Sequence, residues 1–345
     1  MYFNALSIFW MFSSVLIIVL HNLLPRKSEL SKLSNGNNSL RGFLKILLWK
    51  LYVFGKLKDS QHDWDHIANG DESNSTRTHA SLRHQQLAGT SKQNILLKVT
   101  AIPKSWFTHF YLVGALVHFA VFSTLIYVLL GNPFPAALRW LINLINLNIE
   151  ANDLDDKAWP VLIVFTLEFL QMLRRLYECV FVSTFSKGTM SFVHYFLGMF
   201  LYSSFGIGLL ASVKLDKLVF AYPSLEEIVY SFLGISLFVW GSYYQHKSML
   251  TFASLRKDKT DHKADEHYIP QGHLFEIVSC PHYLCEILIY FGFCLVFRFI
   301  NIYLLIVAFF VLTNQMCCGI AVHAWYQEHF SGYPMTRKAV IPYIL

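Results

Sequence analysis

The apolar residues of this chain are gathered into long runs with polar stretches between them. Such runs fall at about 3–24, 107–130, 159–183, 191–213, 227–246, 275–297 and 299–321. Each is close to the roughly 20 residues that a helix needs to cross the hydrocarbon core of a bilayer. The pattern predicts an all-α, polytopic membrane protein with about seven transmembrane helices. The first run has neither a basic leader nor a small-residue cleavage site, so it reads as an anchoring span and not as a cleaved signal peptide. The apolar segment 136–148 is too short to span and is expected to lie at the membrane interface.

Three parts follow from this: a first transmembrane helix at 1–25, a cytosolic loop at 26–104, and a six-helix core at 105–345. Within the loop, Phe43, Leu44, Ile46, Leu47, Leu48, Leu51 and Phe54 are interleaved with lysines. That is the pattern of an amphipathic helix lying on a membrane, or of one that docks on a partner. Residues 59–100 are polar and are expected to be mobile. Basic residues set the orientation. Arg26, Lys27, Lys32, Arg41, Lys45 and Lys50 follow the first run, and Lys247, Arg256, Lys257, Lys259 and Lys263 lie in the loop after the fifth. Acidic Glu150, Asp153, Asp155 and Asp156 lie in the loop after the second run. By the positive-inside rule the N-terminus is lumenal and the C-terminus cytosolic.

Composition agrees with a membrane protein. Charged residues are 14% of the chain and hydrophobic ones 54%, with a mean hydropathy of +0.41; about 25% charged is usual for soluble domains. The net charge of +6 belongs to the cytosolic loops, and no nucleic-acid partner is expected. The six cysteines lie in or beside apolar runs with no CxxC pair, so they read as small core residues. The histidines show no metal-ligand spacing, and no metal is expected.

Ionisable residues inside the apolar runs are the exceptions that carry chemistry, because a charge in lipid is costly unless it faces protein or a watery cavity. In the third run Glu168, Gln171, Arg175 and Glu178 follow at helical spacing, and Arg174 stands four residues before Glu178. In the sixth run Glu276, Ser279, Tyr283, Glu286 and Tyr290 fall at spacings of 3 and 4, with His282 beside them. The fifth run ends in Tyr243, Tyr244, Gln245, His246 and Lys247, and the last holds His323 and Tyr326 near its end. All four runs end on the same side, which predicts a pocket opening to the cytosol. Its arginines suit phosphates. No Walker A loop is present. Gly206, Gly208 and Ala211 mimic a dinucleotide fingerprint, but mid-span and with no preceding strand.

Three stretches carry a resemblance: Ile269-Pro-Gln-Gly-His-Leu-Phe-Glu-Ile-Val-Ser279, Pro281-His-Tyr-Leu-Cys-Glu286, and Tyr333-Pro-Met-Thr-Arg-Lys-Ala-Val-Ile-Pro-Tyr-Ile-Leu345. With Ile102–Tyr111 and Arg174–Cys179, the chain resembles the steroid 5α-reductase family over about 100–345, nearest to the branch that acts on polyprenals. The resemblance implies an endoplasmic-reticulum enzyme that takes NADPH and a long isoprenoid aldehyde among membrane lipids. It implies cofactor contacts from Arg175, Gln245, Arg256, His267, His282, Glu286, Tyr326 and Arg337. Met249 stands where the steroid enzymes carry aspartate, which argues against a steroid substrate. For the chemistry, Tyr177 and His323 are the candidate donors to the substrate oxygen, with Glu178 orienting one of them. A steroid or enoyl-thioester reductase, a lipid-binding transporter and a membrane methyltransferase are the alternative readings.

Overall fold

The computed structural model describes residues 2–23, 101–150, 157–185, 189–215, 218–257 and 268–345. The amphipathic segment 43–54, the polar segment 59–100 and His267 lie outside the described residues. Helices dominate: α1 Ala5–Leu23, α2 Phe107–Leu129, α3 Ala136–Ile145, α4 Ala158–Tyr177, α5 Phe192–Ala211, α6 Leu225–Lys257, α7 Pro281–Val296 and α8 Ile302–His329. Five of these, α1, α2, α5, α6 and α8, are long and apolar enough to cross a membrane. The charged face of α4 and the 16-residue length of α7 set those two apart. The all-α expectation needs one amendment. Two short antiparallel pairs are present, Tyr2–Asn4 (β1) with Asn146–Glu150 (β3), and Ala101–Pro103 (β2) with Thr189–Ser191 (β4).

The chain divides into two compact units. One holds residues 1–21, 107–184 and 199–345. The other, as far as it is described, holds 22–23, 101–106, 185 and 189–198, where β2 pairs β4 and the Trp106 and Tyr195 rings meet at 5.6 Å.

In the larger unit, α1, α4, α6 and α8 run one way and α2, α5 and α7 the other. Contacts fix this arrangement. Lys157, just before α4, and Gln171 on it meet Glu227 and Gln245 of α6 in the same order. On α7, Glu286 meets Gln245 and Gly292 meets Gly234, which is antiparallel. The α6–α7 seam is close because of its glycines: a Cβ on Gly234 would lie 2.6 Å from the Gly292 carbonyl oxygen. Such an approach needs small residues at the crossing.

Side chains cap the starts of α1, α6 and α8. Asn4 precedes α1, and its Oδ1 accepts from Ser7 N at 2.9 Å. Ser224 and Glu227 form a reciprocal capping box at the start of α6 (2.7 and 3.3 Å). Asn301 caps α8 by accepting from Leu304 N, and its amide donates to Ser212 after α5.

The sixth apolar run is where the structure departs from the expected helix 275–297. His273–Glu276 form one 3₁₀ turn, Ile277 keeps helical backbone angles, Val278 forms an isolated bridge with Lys338, and α7 begins only at Pro281. Proline disfavours helical backbone at the residue before it and lacks an N–H, so it starts a helix far more readily than it continues one. Glu276 and Ser279 therefore do not share a helical face with Glu286. Ile277–Cys280 pairs instead with the C-terminal segment, where Lys338 N donates to Ile277 O (3.0 Å) and Ser279 N to Lys338 O (2.7 Å).

Candidate active site

The C-terminal turn of α4 carries the densest polar cluster. Residues Glu178–Val182 continue α4 as a π turn, closed by Ser183 N donating to Glu178 O at 2.7 Å. Such turns are common at functional sites because they rotate one residue out of register. Here the turn places Glu178, fully buried, against both preceding arginines. Its Oε1 accepts from Arg174 Nη1 and its Oε2 from Arg175 Nη1. His246 Nδ1 lies 2.9 Å from the same Oε1.

The cluster then spreads across five helices, α4, α6, α7, α2 and α5. Arg174 Nη2 donates to Gln171 Oε1 (2.8 Å) and to Gln245 Oε1. Gln245, 3% exposed, donates in turn to Glu286 Oε2 and reaches the His282 carbonyl at 3.4 Å. Arg175 Nη2 donates to Tyr111 OH at 3.0 Å and its guanidinium lies over that ring, and Tyr202 OH donates to Tyr111 OH at 3.0 Å. Two arginines and two carboxylates thus share one buried network of opposite charges, an arrangement that needs every member hydrogen-bonded.

A second group sits where the 268–281 segment meets the C-terminal segment. Ser279 Oγ is its hub, 2.6 Å from His323 Nδ1, 2.5 Å from Tyr333 OH and 3.1 Å from the Lys338 carbonyl. Burial pushes the Tyr333 phenol above its ordinary pKa, and the hydrogen bond to Ser279 partly offsets that. Tyr326 stacks on Tyr333 with ring centroids 5.3 Å apart. Arg337, 3% exposed, donates to Pro270 O at 2.9 Å and reaches Glu276 at 3.4 Å.

The structure brings together most of the residues the sequence singled out. Arg175, Gln245, Glu286 and the His282 carbonyl meet in the first group, with Glu178. His323, Tyr326 and Arg337 meet in the second. Arg256 donates to the Thr184 carbonyl at the end of α6, within electrostatic reach of Tyr326. Two expectations come out differently. Tyr177 is 53% exposed with its ring against Phe181, because it lies about 100° round α4 from Glu178. Glu178 is engaged by Arg174, Arg175 and His246, and so orients neither Tyr177 nor His323. Tyr111, Tyr202 and Tyr333 join the site without having been assigned a role, as does His246, which stood out only as part of the polar end of the fifth run. Tyr111 and His118 stand seven residues apart on one face of α2, a spacing that would have flagged both.

Three buried polar atoms here have no hydrogen-bond partner: Arg174 Nε, Arg337 Nε and His282 Nδ1. The two guanidinium Nε–H groups are unpaired buried donors, and an anionic ligand that accepts from them is the simplest explanation. The donor set thus fits a phosphate-bearing cofactor.

Comparison with known proteins agrees. Residues 189–345 match the family described as 3-oxo-5-alpha-steroid 4-dehydrogenase. Gln245, Arg256, His282, Glu286, Tyr326 and Arg337 fall inside that stretch. The chain is 36% identical over 247 residues to the polyprenal reductase of Xenopus tropicalis, covering 70% of this chain and 80% of that one. It is 32% identical to the polyprenal reductases of Homo sapiens over 251 residues (70% and 78%) and of Caenorhabditis elegans over 266 residues (75% and 84%). Helices able to cross a membrane, a buried polar site and these relatives define a membrane oxidoreductase that acts on CH–CH bonds. The chain belongs to the steroid 5α-reductase family.

Proposed function

We propose that this chain reduces the α-double bond of polyprenal to give dolichal, with NADPH, in the endoplasmic-reticulum membrane. Dolichal is the precursor of dolichol, so the reaction would support protein N-glycosylation. The reading is carried by the coincidence of the buried arginine–carboxylate network, through its α6 and α7 members, with the stretch shared with a reductase family whose matched relatives are polyprenal reductases. It also takes α4 and α7 as spans, giving seven, with a lumenal N-terminus and a cytosolic C-terminus.

Arg175, Gln245, Arg256, His282, Glu286, Tyr326 and Arg337 would hold the dinucleotide, together with His267. When bound, it supplies hydride. The guanidinium groups neutralise phosphate charge, and Gln245 and Glu286 offer the amide and carboxylate contacts that fix orientation. Hydride addition at the β-carbon of an enal drives negative charge onto the carbonyl oxygen, so the protein must present a donor there and keep water out. A polyprenyl tail is longer than one leaflet, so the pocket must open sideways and leave the tail in lipid.

Loss of the protein in cells tests the reading. The polyprenol-to-dolichol ratio is expected to rise and N-glycosylation to weaken, and an unchanged ratio would refute it.

A further inference from the structure

The ends of α4 and α6 that lie away from the arginine network enclose a concavity of about 300 Å³. That volume is at the lower edge of the roughly 300–1,000 Å³ of ligand pockets. Its walls are Trp159, Pro160 and Ile163 of α4 and Ile228, Phe232 and Ile235 of α6. Phe232 is 67% exposed and Ile228 51%, so the groove is open on its outer side. One wall is fixed before anything binds. Trp159 Nε1 donates to the Ala221 carbonyl at 3.1 Å, and the indole meets the Phe220 ring edge-on at 5.5 Å.

A polar head group would have to be recognised at the rim, and the charges there already cancel. Lys157 Nζ lies 2.8 Å from each carboxylate oxygen of Glu227, and Oε2 also accepts from Ser224 N at 2.7 Å. Arg298 approaches Glu226 at 3.8 Å and Glu227 at 3.6 Å. Among the described residues of the rim, two cations thus face two carboxylates. A phospholipid whose acyl chain entered the groove would bring its head to groups that are paired with one another. A hydrocarbon chain that arrives with its far end first needs no polar partner there.

The same helix pair carries the reacting site at its other end, where Gln171 of α4 meets Gln245 of α6 at 3.3 Å. Glu227 precedes Gln245 by 18 residues of α6, about 27 Å along the axis at 1.5 Å per residue. The hydrocarbon core of a bilayer is about 30 Å thick. A chain held at the network and lying outward along the α4–α6 seam therefore ends at the groove. Tethering favours it over bulk lipid: once the aldehyde is held, its tail competes for the groove in an intramolecular step. We infer that the α4–α6 groove holds the far portion of the substrate's isoprenoid tail and makes turnover depend on chain length, an inference that rests on the polyprenal reading above. A short isoprenoid enal fills the reacting site alone, and a long one fills both.

The test uses the full chain in phosphatidylcholine vesicles and a bilayer-length polyprenal with a photoreactive diazirine in its last isoprene unit. Peptide mapping should place the label on Trp159, Ile163, Phe232 and Ile235, and Ile235→Trp, which fills the groove, should abolish it. The same substitution should raise KM for the long polyprenal by about tenfold, as when roughly two buried methylenes are displaced. KM for geranial, too short to reach the groove, should stay the same. If Ile235→Trp does not fold, Phe232→Ala, which strips one exposed wall, should separate the two substrates in the same direction. A label scattered over other helices would overturn the inference. So would equal labelling of the groove by phosphatidylcholine with a diazirine at its acyl end, or a folded groove variant that treats both aldehydes alike. A wild-type chain whose groove is labelled but which reduces neither aldehyde defeats the polyprenal reading and keeps the tail site. One that reduces polyprenal with its groove unlabelled does the reverse.

Discussion

Replacing Glu178 by glutamine should cost more stability than any surface change in this chain. The carboxylate is fully buried, and both its oxygens accept from guanidinium groups that are only 20% and 15% exposed. Glutamine keeps the volume but offers one acceptor oxygen and an NH₂ group. One arginine would then face a donor, and two positive charges would lose their counter-ion. Removing one partner of a buried ion pair costs about 3–5 kcal/mol, because the other charge is left buried and alone. Since the guanidiniums keep some contact with solvent or headgroups, the lower end, about 3 kcal/mol, is expected, or on the order of a hundredfold in the folding equilibrium. Reversible denaturant unfolding in mixed micelles, followed by tryptophan fluorescence, measures it. A double variant, Arg174→Met with Glu178→Met, should recover part of the loss, since it removes a charge of each sign together. A loss below about 1 kcal/mol for Glu178→Gln would refute the reasoning, placing the pair in the range of exposed ion pairs.

Other substitutions probe separate parts of the account. Gly208→Ala should destabilise by about 1–3 kcal/mol in the same unfolding assay, because the added Cβ would sit 2.4 Å from the Tyr303 ring, itself 1% exposed and bonded to the Ser204 and Phe205 carbonyls. Ser279→Ala should cost about 1–3 kcal/mol, because it strips a partner from the buried Tyr333 hydroxyl and from His323; unchanged thermal stability would show that water replaces the serine. Arg256→Ala should raise KM for NADPH far more than KM for NADH if that guanidinium meets the 2′-phosphate, and equal effects would remove the assignment.

Much of the fold was legible because lipid imposes a simple rule on sequence. The run 107–130 became Phe107–Leu129 and the run 191–213 became Phe192–Ala211, since a segment that must satisfy its backbone in hydrocarbon has few options besides helix. The rule weakens where helices leave the apolar zone. The fifth run ends at 246 by hydropathy, yet α6 continues to Lys257, because helix geometry does not depend on apolar side chains. Pro281 was visible, but its effect depended on competition. The preceding five residues could extend an apolar helix or pair with Lys338 and Ala339, and only the folded chain offers the second option. The strands, three of them three residues long and one five, are too short to carry a readable periodicity.

The site was legible where its partners are close in sequence. Arg174 with Glu178 follows from a spacing of four, Glu286 and Gln245 stood out as polar residues in apolar runs, and the resemblance supplied their cofactor role. Tyr202 was missed because it is a lone polar residue whose partner lies on another helix, Tyr111 and His118 because their seven-residue spacing was not read as a stripe, and His246 stood out at the end of the fifth run but without its partner, Glu178 on another helix. Tyr177 shows the converse error. It sits next to Glu178 in sequence, but one step along a helix turns it onto the exposed face.

The central claim is that the buried network serves reduction of a long isoprenoid enal. Its most direct test incubates the purified protein in lipid with NADPH and polyprenals of defined length, beside a 3-oxo-Δ4-steroid control, and identifies products by mass spectrometry. The account predicts dolichal, two hydrogens heavier than the starting aldehyde, formed only with the dinucleotide and faster than any steroid product. Recovery of the polyprenal unchanged, or reduction of the steroid alone, would contradict it.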